Sequence, residues 1–154
     1  MKIAIILGAT GLTGSILLDK LLNDSRYEKV KVFTRRALDV DHEKLEEVIC
    51  DVLNLTEVKD QFHADEVYCC IGTTAKKTPD KSLYKKIDYG IPLEVAKLCK
   101  ANGIDHLSII SALGANPKSN VFYNRTKGEM EQAVIEQGIN YTSILRPSII
   151  LGSR

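Results

Sequence analysis

Short apolar runs rich in β-branched residues alternate with longer amphipathic stretches from one end of the chain to the other. The apolar runs predict strands at Lys2–Leu7, Val30–Thr34, Glu46–Cys50, Glu66–Ile71, His106–Ser111 and Tyr141–Leu145. Strands separated by helix-length segments are joined by crossovers rather than hairpins, so the pattern is that of an α/β protein built on a parallel sheet.

The stretches between the strands carry the complementary signal. Leu17, Leu18, Leu21 and Leu22 recur at three and four residues, which places them on one face of a helix that covers the sheet. Asn54 or Thr56 is placed to cap a short helix ending near Phe62. Ser82 is placed to cap a longer one that bends near Gly90 and Pro92 and stops at Asn102 and Gly103. The last helix is expected from Tyr123 to Gln137, with Met130, Ala133, Val134 and Gln137 continuing the stripe that starts at Tyr123 and Gly138 closing it. Two longer loops, Thr73–Lys81 and Leu113–Phe122, follow strand ends. That edge of an open parallel sheet is where ligands bind.

Composition narrows the class. A chain of 154 residues that is 44% hydrophobic and 27% charged is one folded domain, without disorder or low complexity. Lys plus Arg at 21 against Asp plus Glu at 20 leaves no basic footprint, so neither a nucleic acid nor a membrane surface is expected as partner. The apolar run after Met1 and Lys2 is short and leads straight into glycines, so it reads as a strand and not as a signal peptide, and no run approaches a membrane span. Cys50, Cys69, Cys70 and Cys99 lack metal or redox spacing, and reduced, packed thiols in a cytoplasmic protein are expected. His42, His63 and His106 are scattered, so no metal site is predicted.

The chemistry begins at GATGLTG, Gly8 to Gly14, which follows the first strand and opens the first helix. In that context Gly8 makes the tight turn, Gly11 lets a pyrophosphate approach the backbone, and Gly14 lets helix and strand pack closely, while free helix N–H groups hold the anion. The bland alternative is turn punctuation. About twenty residues on, where a carboxylate would bind the ribose of NAD, the second strand ends in Thr34, Arg35 and Arg36. Guanidinium groups suit a 2′-phosphate, which argues for NADP(H). A solvated arginine pair is the alternative, and Asp39 and Asp41 leave NAD(H) disfavoured but open. The lysines Lys76, Lys77, Lys81, Lys85 and Lys86 read first as a solvated face and second as steering for an anion.

On Gly8, Gly11 and Gly14, and on the segments FTRR, CDV, CCIGTT, SALGA, YNRTKGEME and LRPSIILG in that order, the chain resembles the short-chain dehydrogenase/reductase superfamily. Within its extended and atypical branch the chain is similar to the oxidoreductases related to the HIV Tat-interactive protein and to NmrA-type NADPH-binding proteins. The resemblance implies a Rossmann-like doubly wound parallel sheet of strand order 3-2-1-4-5-6 with helices on both faces. It also implies a catalytic group of Ser111, Tyr123 and Lys127. Tyr123 and Lys127 are four residues apart, hence on one helical face, where an ammonium favours a phenolate. Family likeness further makes Thr10 and Leu12 part of the glycine loop's cofactor contacts. It gives Lys127 to the nicotinamide ribose, Asp51 and Val52 to the adenine, Gly72 and Thr73 to the backbone beside the cofactor, and Pro147 after Arg146 to the carboxamide. Relatives often have glycine where Ser148 stands. Many carry an asparagine in the middle of the long helix, for which Asp88 is the nearest polar candidate.

The expected activity is hydride transfer between NADP(H) and a small carbonyl or alcohol substrate. Two alternatives stand beside it: an NADPH-binding redox sensor or scaffold without turnover, and a nucleotide-sugar epimerase or dehydratase. Residues 1–154 are expected to form one NAD(P)-binding domain lacking the C-terminal substrate segment of relatives, either truncated or a minimal form completed by a partner. A homodimer is compatible with the sequence.

Overall fold

The computed structural model describes residues 1–148. In chain order it contains β1 (Lys2–Leu7), α1 (Leu12–Leu22), β2 (Tyr27–Thr34), β3 (Leu45–Ile49), a 3-10 segment (Leu55–Gln61), β4 (Glu66–Cys69), α2 (Lys81–Lys85), α3 (Ile91–Ala101), β5 (His106–Ile110), α4 (Phe122–Glu136) and β6 (Tyr141–Leu145). The strands form one sheet in the order β3-β2-β1-β4-β5-β6, and every pairing is parallel. This is the doubly wound order expected from the resemblance.

Successive strand residues point to opposite faces, and the two faces carry separate cores. Ala4, Ile6, Val30 and Val32 meet Leu18, Leu21 and Leu22 of α1. Their neighbours Ile5, Leu7, Phe33 and Val48 face the other way, into a core with Val95 and Leu98 of α3 and Met130 and Val134 of α4. Removing these side chains from water supplies most of the driving force that holds the layers together.

Several elements differ from the sequence pattern, each for a local reason. β2 starts at Tyr27 rather than Val30, because Tyr27 is buried and its hydroxyl donates to Glu66 Oε2 at 2.5 Å, anchoring a stretch whose Glu28 and Lys29 look like loop. Asp80, not Ser82, caps α2: its carboxylate accepts the N–H groups of Ser82 and Leu83. The expected long helix does run without a break from α2 into α3 and ends at Asn102, and the irregularity expected near Gly90 and Pro92 takes the form of five residues of π-helix, Lys86–Gly90, just before Pro92. Asn54 precedes the 3-10 segment but makes no capping bond to its backbone, reaching Glu57 instead. α4 runs from Phe122 to Glu136, one residue earlier at each end than expected, and Gly138 takes the left-handed conformation after it, φ 71°. The last residues of the LRPSIILG segment, and the chain to Arg154, lie outside the described residues.

Candidate functional site: a dinucleotide cradle

The C-terminal strand ends open into one cavity of about 760 Å³. At its first corner the chain turns at Gly8, φ 85°, where a side-chain Cβ would stand 2.7 Å from the backbone of Cys70. Gly14 is tighter still, since a Cβ there would lie 1.9 Å from the Gly8 carbonyl oxygen. These two glycines are therefore required by the protein's own backbone. Gly11 is different: its nearest neighbour is 3.6 Å away, and it heads α1 with no side-chain cap, so the first-turn N–H groups are left for an anion. Gly8, Thr10, Gly11 and Leu12 line the cavity, while Gly14 lies beneath it in the helix–strand contact. A pyrophosphate fits this cradle by charge and by the space above Gly11.

Arg35 lines the same cavity from the end of β2. Arg36 does not, its N–H and carbonyl closing on the Thr34 side chain, although both arginines are exposed. Asp51 and Val52 line the cavity too, with one carboxylate oxygen of Asp51 accepting Leu53 N–H at 2.9 Å and the other free of that turn. Gly72 and Thr73 follow β4 along the floor. A Cβ on Gly72 would make only ordinary contacts, 3.8 Å from Lys127 Nζ, so no atom of the protein demands glycine there.

At the far end stand Ser111, Lys127 and Pro147. The α4 helix projects Lys127 inward, where Nζ lies 2.9 Å from Asp88 Oδ2, with side chains 14% and 0% exposed. Ser111 is buried at the end of β5, and its hydroxyl donates to Glu131 Oε2 at 2.6 Å. Glu131 in turn is gripped by both ends of the Arg146 guanidinium. The serine therefore turns its hydrogen toward Glu131, where the family role has it donate to a substrate carbonyl. Tyr123 is not among the residues lining the cavity; its ring packs edge-on against Tyr84, centroids 4.8 Å apart.

Sequence reasoning missed three residues here. Lys77, grouped with the solvated lysines, lines the cavity from the loop after β4, as does Thr78, whose hydroxyl pairs with Thr73 at 2.8 Å. Their position after a strand end was the available signal. Glu131 was legible only as a helix carboxylate two turns from Tyr123. The four cysteines are free thiols, and burial pushes Cys69 and Cys99 up to about 12 and Cys70 to about 11. Among the described residues no His/Cys/Asp/Glu group is arranged to hold a metal, and no helix is long and apolar enough to cross a membrane.

The chain is similar to known proteins. A family model described as NAD(P)H-binding matches residues 8–152. Protein FMP52, mitochondrial, of Candida albicans is 38% identical over 97% of this chain and 67% of its own length. Protein HTATIP2 of Rattus norvegicus is 34% identical over 99% of this chain and 64% of its own. The chain thus spans about two thirds of the length of these relatives. Among solved structures, the Bordetella bronchiseptica enzyme WbmH in complex with NAD+ superposes with a TM-score of 0.78 over 95% of this chain and 56% of that one, at 20% identity, a likeness of fold. The cytoplasmic expectation is corrected by the first relative, whose name places it in mitochondria. Buried thiols of raised pKa stay unreactive in either compartment, so the cysteines never separated the two. With the cradle, the strand order and the matched relatives in agreement, the chain belongs to the NAD(P)H-binding family and carries a Rossmann-like fold.

Proposed function

We propose that the protein is an NADP(H)-dependent oxidoreductase that interconverts a small carbonyl compound and its alcohol. The observation that carries this reading is that Lys127 and Ser111 share one cavity with the glycine cradle and Arg35. The α1 N-terminus and Gly11 hold the pyrophosphate, and Arg35 meets the 2′-phosphate, with NAD(H) the second choice. Asp51 and Val52 meet the adenine, and Gly72, Thr73 and Pro147 flank the nicotinamide half. When bound, the reduced nicotinamide supplies the hydride. Tyr123 gives its phenolic proton to the substrate oxygen, Lys127 one turn later holds ribose hydroxyls, and Ser111 orients the substrate by turning its hydroxyl hydrogen from Glu131 to the carbonyl oxygen; oxidation runs through the same groups in reverse. The partner this requires is the small-molecule substrate, while a homodimer is compatible with it. A mitochondrial setting, as in the name of the fungal relative, goes with it.

A second reading, an NADPH-binding sensor without turnover, is favoured by one specific observation: Lys127 and Ser111 are each engaged by a buried carboxylate, Asp88 and Glu131. The test is NADPH oxidation with a panel of aldehydes and ketones. Tyr123→Phe is expected to slow it by about 100-fold or more while leaving nucleotide affinity unchanged. Turnover that survives this substitution removes Tyr123 as the acid, and tight NADPH binding with no turnover on any carbonyl favours the sensor.

A further inference from the structure

The turn that carries Asp88 differs from the helices on either side of it. α2 passes into α3 through five residues of π-helix, Lys86–Gly90, a widened winding that recurs at functional sites. It turns Asp88 inward until the residue is 1% exposed. Oδ1 accepts the Thr73 N–H at 2.9 Å, and Oδ2 lies 2.9 Å from Lys127 Nζ yet receives no well-directed hydrogen bond. Burying a carboxylate is costly even when paired, and an apolar residue of similar size packs as well or better. Packing alone therefore gives no reason for an acid at this position.

The groups around the pair are few. Tyr84, one turn before Asp88, is buried, and burial together with Asp88 pushes its phenol up. Tyr84 packs against Tyr123 of α4, which precedes Lys127 by one turn. Glu131 follows Lys127 by one turn and is occupied by Arg146 and Ser111. From β4 comes the buried Cys69, whose thiol burial pushes up to about 12, and from the turn after it the backbone at Gly72. Among these, Asp88 is the carboxylate whose charge falls directly on Lys127.

We propose that Asp88 is a positioning residue acting through Lys127: it fixes the ammonium on the cavity floor beside Gly72 and cancels most of its field at Tyr123 and at the cofactor. The pair is a neutral unit, and the positive charge that the family lysine lends to its tyrosine is here held in check. This rests on Tyr123 being the proton donor, but its test needs neither substrate nor turnover.

Tyrosinate formation is followed by ultraviolet absorbance during an alkaline titration of the purified protein, and the Tyr123 contribution is isolated by subtracting the same titration of Tyr123→Phe. Asp88→Asn keeps an acceptor for Thr73, removes the charge, and replaces the oxygen facing Lys127 by an NH2 group. It is expected to move the Tyr123 transition to lower pH by about one unit, and Asp88→Asn with Lys127→Met is expected to cancel that displacement. Lys127→Met alone, which leaves Asp88 unopposed, is expected to move it to higher pH, and it serves as the deciding variant where Asp88→Asn does not fold. An unmoved transition in Asp88→Asn, a displacement that persists in the double variant, or an unmoved transition in Lys127→Met overturns the proposal. Loss of carbonyl turnover with these displacements intact would instead count against the oxidoreductase reading.

Discussion

Gly14→Ala is expected to weaken nucleotide binding strongly and to destabilise the fold, although alanine is the better helix former by about 1 kcal/mol. The added Cβ would lie 1.9 Å from the Gly8 carbonyl oxygen and 2.6 Å from its carbon, and both obstacles are backbone. No side chain can swing aside. α1 must lift from β1, which loosens Leu18, Leu21 and Leu22 from the core they share with Ala4 and Ile6, or the Gly8 turn must unwind. Overpacking of this kind costs about 1–3 kcal/mol and exceeds the helix gain. The lifted helix no longer aims its N–H groups at the pyrophosphate, so NADPH affinity should fall by about 100-fold or more. Gly11→Ala makes the contrast, because its Cβ would meet nothing closer than 3.6 Å. Its unfolding midpoint in urea should barely move, while a methyl in the space meant for phosphate lowers affinity by roughly tenfold. Equal losses of stability in the two variants would contradict the separate roles given to the two glycines.

Lys127→Met should lower stability by about 3–5 kcal/mol, because it strands the carboxylate of Asp88, whose side chain is 0% exposed, without a counter-charge. For a domain of this length the melting temperature should fall on the order of 10 °C. Adding Asp88→Asn removes the stranded charge, so the double variant should recover most of the loss, and the coupling read from the four proteins measures the pair. Denaturant unfolding checks this without reference to any ligand. A single variant as stable as the parent would mean that Asp88 and Lys127 do not meet in solution.

Much of the frame was legible because it rests on short-range periodicity. β1 and β6 have the bounds that their apolar runs predict, and Leu18, Leu21 and Leu22 cover the sheet as their spacing requires. The start of β2 was hidden because Glu28 and Lys29 are polar and exposed, and what makes Tyr27 a strand residue is a partner 39 positions away, Glu66. Gly90 and Pro92 marked an irregularity in the long helix, but not that it would be a π winding over Lys86–Gly90 that turns Asp88 inward.

The site divides along the same line. The glycines could be assigned from spacing because each has a local geometric duty. Arg35 and Arg36 could not be told apart, since only the direction of the chain after Thr34 leaves one in the cavity and the other outside it. The engagement of Ser111 by Glu131, 20 positions later in the chain, is a product of β5 lying beside α4, and nothing in either residue's neighbourhood announces it. Likewise the helical spacing of Tyr123 and Lys127 was readable, but not that Tyr84 would pack on one and Asp88 pair with the other.

The most direct test of the central claim, that this cavity binds NADP(H), is a calorimetric titration of the purified chain with NADPH and with NADH at the same salt concentration. NADPH should bind at least roughly tenfold tighter, the worth of a charge-assisted phosphate contact. That preference should vanish in Arg35→Ala with Arg36→Ala, and Arg35→Ala should account for most of the loss. Equal affinity for the two nucleotides, or a preference that survives the double substitution, would contradict the 2′-phosphate assignment, and no binding of either would contradict the cradle itself.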